Sequence, residues 1–157
     1  MDRIHPSSLK AFGLEIRSAP DALDKNKIKI ARATQIYYAA MDALSLCLFV
    51  FAPGNVYTIE EIIEILNAAT GFDFRFEDLM EIGERAIQLQ RKLYLHLGGT
   101  DEEFLSFLGD EIPEGPSKGA CIDKNDFYQA RKHYYKLMGW DEDGRVLEET
   151  LKKFKIV

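Results

Sequence analysis

The chain has 157 residues, of which 46% are hydrophobic and 29% charged, with a formal net charge of −6. This is a globular composition, long enough for one domain or two small ones that bury roughly two-thirds of the unfolded surface. Acidic balance, with lysines and arginines interspersed among acids, excludes a free nucleic-acid binder, and no stretch approaches the ~18 apolar residues of a membrane span.

The opening stretch, MDRIHPSSLK, lacks the apolar core of a signal peptide, so the expected compartment is the cytoplasm. Residues 1–24 mix Pro6, Ser7, Ser8, Gly13 and Pro20 and read as an irregular arm ahead of a multihelical domain over 25–157. Ile28, Ala31, Ile36, Ala40, Met41 and Leu44 then recur at helical spacing, predicting one helix from about Asp24 to Val50. Around Leu48, Phe49, Val50 and Phe51 it is apolar on all sides, which predicts burial in a larger interior, and Pro53-Gly54 ends it.

Thr58 and Glu61 form a capping-box pattern at the start of the next helix. Ile59, Ile62, Ile63 and Leu66 are its buried stripe and Gly71 its stop. A longer helix follows from about Arg75 to Leu97, with Leu79, Ile82, Ala86, Leu89 and Leu93 expected inward and Gly98-Gly99 as its break. Thr100 and Glu103 repeat the capping pattern before a short helix ending near Gly109. The stretch DEIPEGPSKGACI, residues 110–122, reads as an ordered loop. Asp123 caps a helix to about Met138, GWDEDG makes a turn, and Arg145 to Lys155 is a final helix. With no strict alternation and no internal repeat, the fold class is all-α, multihelical.

Few residues carry chemistry by pattern alone. Two cysteines, Cys47 and Cys121, are too few for a disulfide framework or for a four-ligand metal site. His5, His96 and His133 lie apart without a ligand spacing and read as surface or capping residues. EGPSKG lacks the strand–loop–helix setting of a phosphate loop. Asp141-x-Asp143-Gly144 lacks the remaining ligands of a calcium loop and reads as a turn before a helix. The aromatic residues 127, 128, 134 and 135 read as packing groups. From spacing alone Cys47 is a buried core thiol.

Four stretches in order nevertheless resemble the C-terminal part of the tungsten-dependent aldehyde:ferredoxin oxidoreductase family. They are Asp42-Ala43-Leu44-Ser45-Leu46-Cys47 against an Asp-x-x-Gly-Leu-Cys motif, and the triplet Gly83-Glu84-Arg85. The others are IPEGPSKG, similar to a Pro-x-Gly-Pro-x-Lys-Gly loop, and YYKLMGWDEDG near the chain end. The resemblance implies an all-helical domain. It also implies that Asp42 accepts hydrogen bonds from a pterin, that Leu46 and Cys47 offer it backbone contacts, and that Cys47 ligates a [4Fe–4S] cluster.

Departures qualify what is implied. Ser45 stands where the motif has glycine, and HLGG, residues 96–99, where the family has Arg-Glu-Gly. The other three cluster cysteines and the β-rich domain that holds most of the tungstopterin have no counterpart in the sequence; His5 is the weak match for a histidine near the metal. The implied function is therefore a fragment or split subunit of an oxidoreductase acting on aldehydes with ferredoxin as acceptor. It should hold neither cofactor alone and be inert until the remaining domains or subunit join. The alternative is a non-redox helical binding or scaffold module. Self-association through the surface left uncovered, giving a homo-oligomer, is a further expectation.

Overall fold

The computed structural model describes residues 23–52, 56–101 and 108–156. Among the described residues six helices run in the order α1 (Lys25–Ala43), α2 (Leu48–Phe51), α3 (Ile59–Thr70), α4 (Phe76–His96), α5 (Lys124–Met138) and α6 (Glu148–Lys153). There is no strand among the described residues, only an isolated antiparallel bridge between Trp140 and Val146. The all-α class expected from the sequence holds.

Local chemistry sets most helix starts. Asp24 caps α1 by accepting from the Lys27 N–H at 2.8 Å. At α3 the capping box is complete, with Glu61 N–H donating to Thr58 Oγ1 and Thr58 N–H to Glu61 Oε2. Asp123 accepts from the Asp126 N–H to start α5. Gly71 and Gly139 end α3 and α5 in the left-handed region, the geometry that lets a chain leave a helix without a Cβ clash.

Helix α1 is the spine. Four of its six buried residues fall in adjacent pairs, Ile36 with Tyr37 and Ala40 with Met41, so the helix serves two neighbouring faces. Tyr37, Ala40 and Met41 pack with Ile59, Ile62, Leu66 and Leu79 of α3 and α4. Ile36 packs on the other side with Ile87, Tyr135, Met138 and Trp140. The α1–α4 crossing is close because position 83 has no side chain: a methyl group there would lie 1.9 Å from the Ile36 carbonyl oxygen.

Three expectations need correction. The first helix does not run to Val50 but stops at Ala43, and a turn separates it from α2. On α4 the buried positions are Leu79, Gly83, Ile87 and Gln88, whereas Leu89 and Leu93 are exposed. The close approach through Gly83 rotates the helix so that its narrow edge, not its leucine stripe, faces α1. The last helix begins only at Glu148, because Asp141 N–H donates to the Arg145 carbonyl and Val146 pairs with Trp140. The short helix expected before Gly109 falls on residues 102–107, and the arm on residues 1–22; both lie outside the described residues.

Candidate cofactor-contact corner

The six residues from Asp42 to Cys47 form the stop signal of α1. Leu46 N–H donates to the Met41 carbonyl at 2.9 Å and Ser45 N–H to the Asp42 carbonyl at 3.1 Å. This crossed pair of bonds is the Schellman arrangement, which requires a left-handed residue just past the helix. Ser45 is that residue, with φ of 56°. A glycine would adopt this conformation without strain, which gives the motif's glycine a backbone reason. Ser45 adopts it at a cost of about 1 kcal/mol.

Leu46 turns inward and packs on the Tyr37–Met41 cluster. Cys47 caps the N-terminus of α2 by its backbone: its carbonyl accepts from Val50 and Phe51 N–H at 3.0 and 2.9 Å. Its side chain is exposed, which overturns the reading of Cys47 as a buried core thiol. Leu48 and Phe49 are 49% and 84% exposed while Phe51 packs on the Tyr37–Met41 cluster, so α2 carries apolar side chains on its solvent side as well as on its core side. Asp42 is exposed in the last turn of α1, which carries no basic residue. A carboxylate at a helix C-terminus faces the negative end of the dipole and costs roughly 0.3–1 kcal/mol. The corner therefore sets a carboxylate and a thiol at the surface within one turn, and local stability does not account for the carboxylate.

The other stretches that carried the resemblance have architectural roles. Glu84 accepts from Arg32 at 2.6 Å and lies 3.9 Å from Lys153; Arg85 Nε donates to the Phe154 carbonyl at 3.0 Å. The Gly83-Glu84-Arg85 triplet thus seats α4 against α1 and the chain end. Trp140 packs edge-on to Tyr134 and tilted against Tyr135, its Nε1 donates to Gln88 Oε1 at 2.6 Å, and Gln88 Nε2 donates to the Met138 carbonyl at 2.8 Å. Arg91 lies 4.7 Å over the Trp140 ring, donates through Nε to the Gly144 carbonyl, and holds Asp101 by two bonds of 2.7 and 2.6 Å. Tyr135 also donates to Asp101. The Arg91 hydrogen bond holds the Asp101 carboxyl below its usual range, and burial pushes the Tyr135 hydroxyl up to about 12.

Asp141 behaves as a turn residue: its carboxylate accepts from the Asp143 and Arg145 N–H groups. Of the aromatic residues at 127, 128, 134 and 135, only Tyr135 is fully in the core, and Tyr128 is exposed. His96 is exposed in the last turn of α4, as expected of a capping position. His133 is half-buried on α5, and its Nε2 has no hydrogen-bond partner among the described residues, so it is not the surface histidine expected. Gln88 and Arg91 carried no signal in the sequence beyond interrupting an apolar stripe.

The proline–glycine loop differs from these. Ile112 N–H donates to the Ala120 carbonyl and Gly119 N–H to the Ile112 carbonyl, both at 2.9 Å, so its backbone closes on itself. Every residue from 109 to 126 is exposed.

The family model for aldehyde ferredoxin oxidoreductase, domains 2 and 3, matches residues 2–156. The chain belongs to the aldehyde ferredoxin oxidoreductase family. It is 35% identical over 151 residues to the tungsten-containing aldehyde ferredoxin oxidoreductase of Pyrococcus horikoshii, covering 93% of this chain and 24% of that protein. With the Thermococcus kodakarensis enzyme of the same description it shares 34% over 154 residues, covering 95% and 24%. An aliphatic sulfonate oxidoreductase, WOR-like subunit, of Pyrococcus furiosus is 37% identical over 131 residues, covering 78% of this chain and 20% of that one. The chain thus spans about a quarter of the length of the curated relatives it matches and corresponds to a C-terminal part of such enzymes. No described helix is long and apolar enough to cross a membrane.

Proposed function

We propose that this chain is the C-terminal helical part of a tungstopterin and iron–sulfur oxidoreductase acting on aldehydes. In this reading it contributes the Asp42 carboxylate, the Leu46–Cys47 backbone and the Cys47 thiolate, and is inert until the rest of the enzyme joins. The observation that carries the reading is the α1 stop. It holds a carboxylate and a thiol exposed on one turn, beside exposed Leu48 and Phe49, where the family's cofactor motif falls.

The donor set fits a share of a site rather than a whole one. Among the described residues no three His, Cys, Asp or Glu side chains converge to hold a metal ion. One thiolate is a single ligand where a four-iron cluster takes about four, so the remaining ligands come from the rest of the enzyme. Bound there, the cofactor supplies the electron transfer. Asp42 accepts hydrogen bonds from a donor-rich ring edge, a strong contact for an ionised carboxylate. The wholly exposed loop at 110–122 and the exposed apolar face of α2 form the surface that the rest of the enzyme covers.

Co-expression with a chain carrying the family's missing cysteine run tests this. A complex should form that contains tungsten and iron and shows cluster absorption, and Cys47→Ser should lose the cluster signal. Phe49→Ser should leave the chain alone folded while weakening the complex at least tenfold in a binding titration. Cluster absorption, bound tungsten or aldehyde oxidation in the chain alone would overturn the reading. Ser45 in the glycine position favours the second reading, a non-redox binding module. A metal-free complex with the same partner chain would support that one.

A further inference from the structure

Helix α2 is a single turn of four residues, too short to persist by its own hydrogen bonds because helix nucleation is costly. Its first carbonyl, that of Cys47, accepts from the Phe51 N–H at 2.9 Å, so the two ends of the turn are tied to each other. Its last carbonyls point beyond the helix and have no intrahelical donor. The Tyr37 hydroxyl donates to one of them, the Phe51 carbonyl, at 2.9 Å. Tyr37 is completely buried, with its ring edge-on to Tyr38 at 6.0 Å and packed in the Met41–Ile62–Leu79 cluster. Its hydroxyl is therefore a fixed point of the core. The Phe51 ring, stacked on Tyr57 at 5.7 Å and packed against the same cluster, holds the turn by apolar contact, which sets distance but not direction.

We propose that Tyr37 is the positioning residue of the Asp42–Cys47 corner. By fixing the Phe51 carbonyl it fixes the turn whose other end is Cys47, and so the direction of the Cys47 Cα–Cβ bond. The role in cofactor contact rests on the function proposed above; the geometry does not.

The test uses the full chain with Tyr37→Phe, which removes one oxygen and keeps the ring. Thr150→Val is the matched control, since the Thr150 hydroxyl makes a similar bond to the Gly139 carbonyl at 2.9 Å in the other half of the molecule. In Tyr37→Phe the amides of Val50, Phe51 and Ala52 should exchange about five- to tenfold faster, the range set by one lost hydrogen bond. The Cys47 Cα and Cβ chemical shifts should move toward coil values. Thr150→Val should leave both readouts within about twofold or unshifted while lowering the melting temperature comparably. Equal behaviour of the two variants at residues 47–52 would reduce Tyr37 to a general stabiliser and overturn the proposal. Should Tyr37→Phe not fold, the unchanged chain decides. A Tyr37 hydroxyl proton protected from solvent exchange supports the role, and a freely exchanging one overturns it. None of these readouts needs a cofactor, so a failed co-purification would count against the proposed function and not against Tyr37.

Discussion

On the α5 side of α1, a buried glutamine joins Trp140 to the end of α5, and an arginine under three aromatic rings holds a carbonyl with one arm and a carboxylate with two. At the C-terminal end of the same helix the chain does the reverse. A serine sits in a conformation glycine prefers, a carboxylate opposes the helix dipole, and apolar α2 side chains face solvent. Around Gln88, Arg91 and Trp140 the polar groups are satisfied internally, as in a structural core, although Arg131 Nε and His133 Nε2 on α5 have no partner among the described residues. The second breaks local rules at several positions between 42 and 49, and such breaks collect where a chain meets a ligand or partner. Both regions bear family motifs, so motif identity alone does not distinguish them; satisfaction of the local chemistry does.

The sharpest way to break this contrast is at the crossing the two regions share. Gly83→Ala places a methyl group 1.9 Å from the Ile36 carbonyl oxygen, with backbone rather than a flexible side chain in the way. A loss of about 3 kcal/mol or more is expected in urea unfolding, because neither helix can yield without disturbing both core clusters. A loss below about 1 kcal/mol would mean the two regions are not coupled through α1.

Next is Arg91→Met. It leaves the Gly144 carbonyl without its donor and Asp101 with the Tyr135 hydroxyl but without its cation, and with Asp101 partly solvated the expected loss is about 2–3 kcal/mol. The sign with pH follows from the lowered Asp101 carboxyl. The stabilisation is present above the unfolded carboxyl value near 3.9 and is lost as pH falls through the lower folded value. Urea midpoints of the parent chain should therefore fall steeply below about pH 4, and those of the variant less so. Parallel pH profiles would show that Asp101 is not the group that senses Arg91.

Smallest is Ser45→Gly at the corner, which should raise stability by about 1 kcal/mol, or the melting temperature by roughly 2–4 °C, by removing the left-handed strain. A loss instead would show that Ser45 makes a compensating contact. The corner would then be as internally satisfied as the Trp140 side.

The helices, their caps and the all-α class were legible in the sequence because they depend on neighbours within a turn: Thr58 with Glu61, Gly71 as a stop, Asp123 as a start. The order of the motifs, with Asp42, Leu46 and Cys47 among them, was read from resemblance to the family and not from local physics. What the sequence misjudged was orientation. Leu89 and Leu93 look like core and are exposed, while Gln88 looks like surface and is fully buried. Periodicity reports an apolar face but not which edge a neighbour occupies, and here the missing side chain at Gly83 chose the edge. Likewise the apolar run after Cys47 predicted burial, and hydrophobicity alone cannot say whether the covering surface belongs to the same chain. Only the tertiary structure placed the break at Ala43, the left-handed Ser45 and the Tyr37 hydroxyl on the Phe51 carbonyl, because each depends on where α2 folds back against the core.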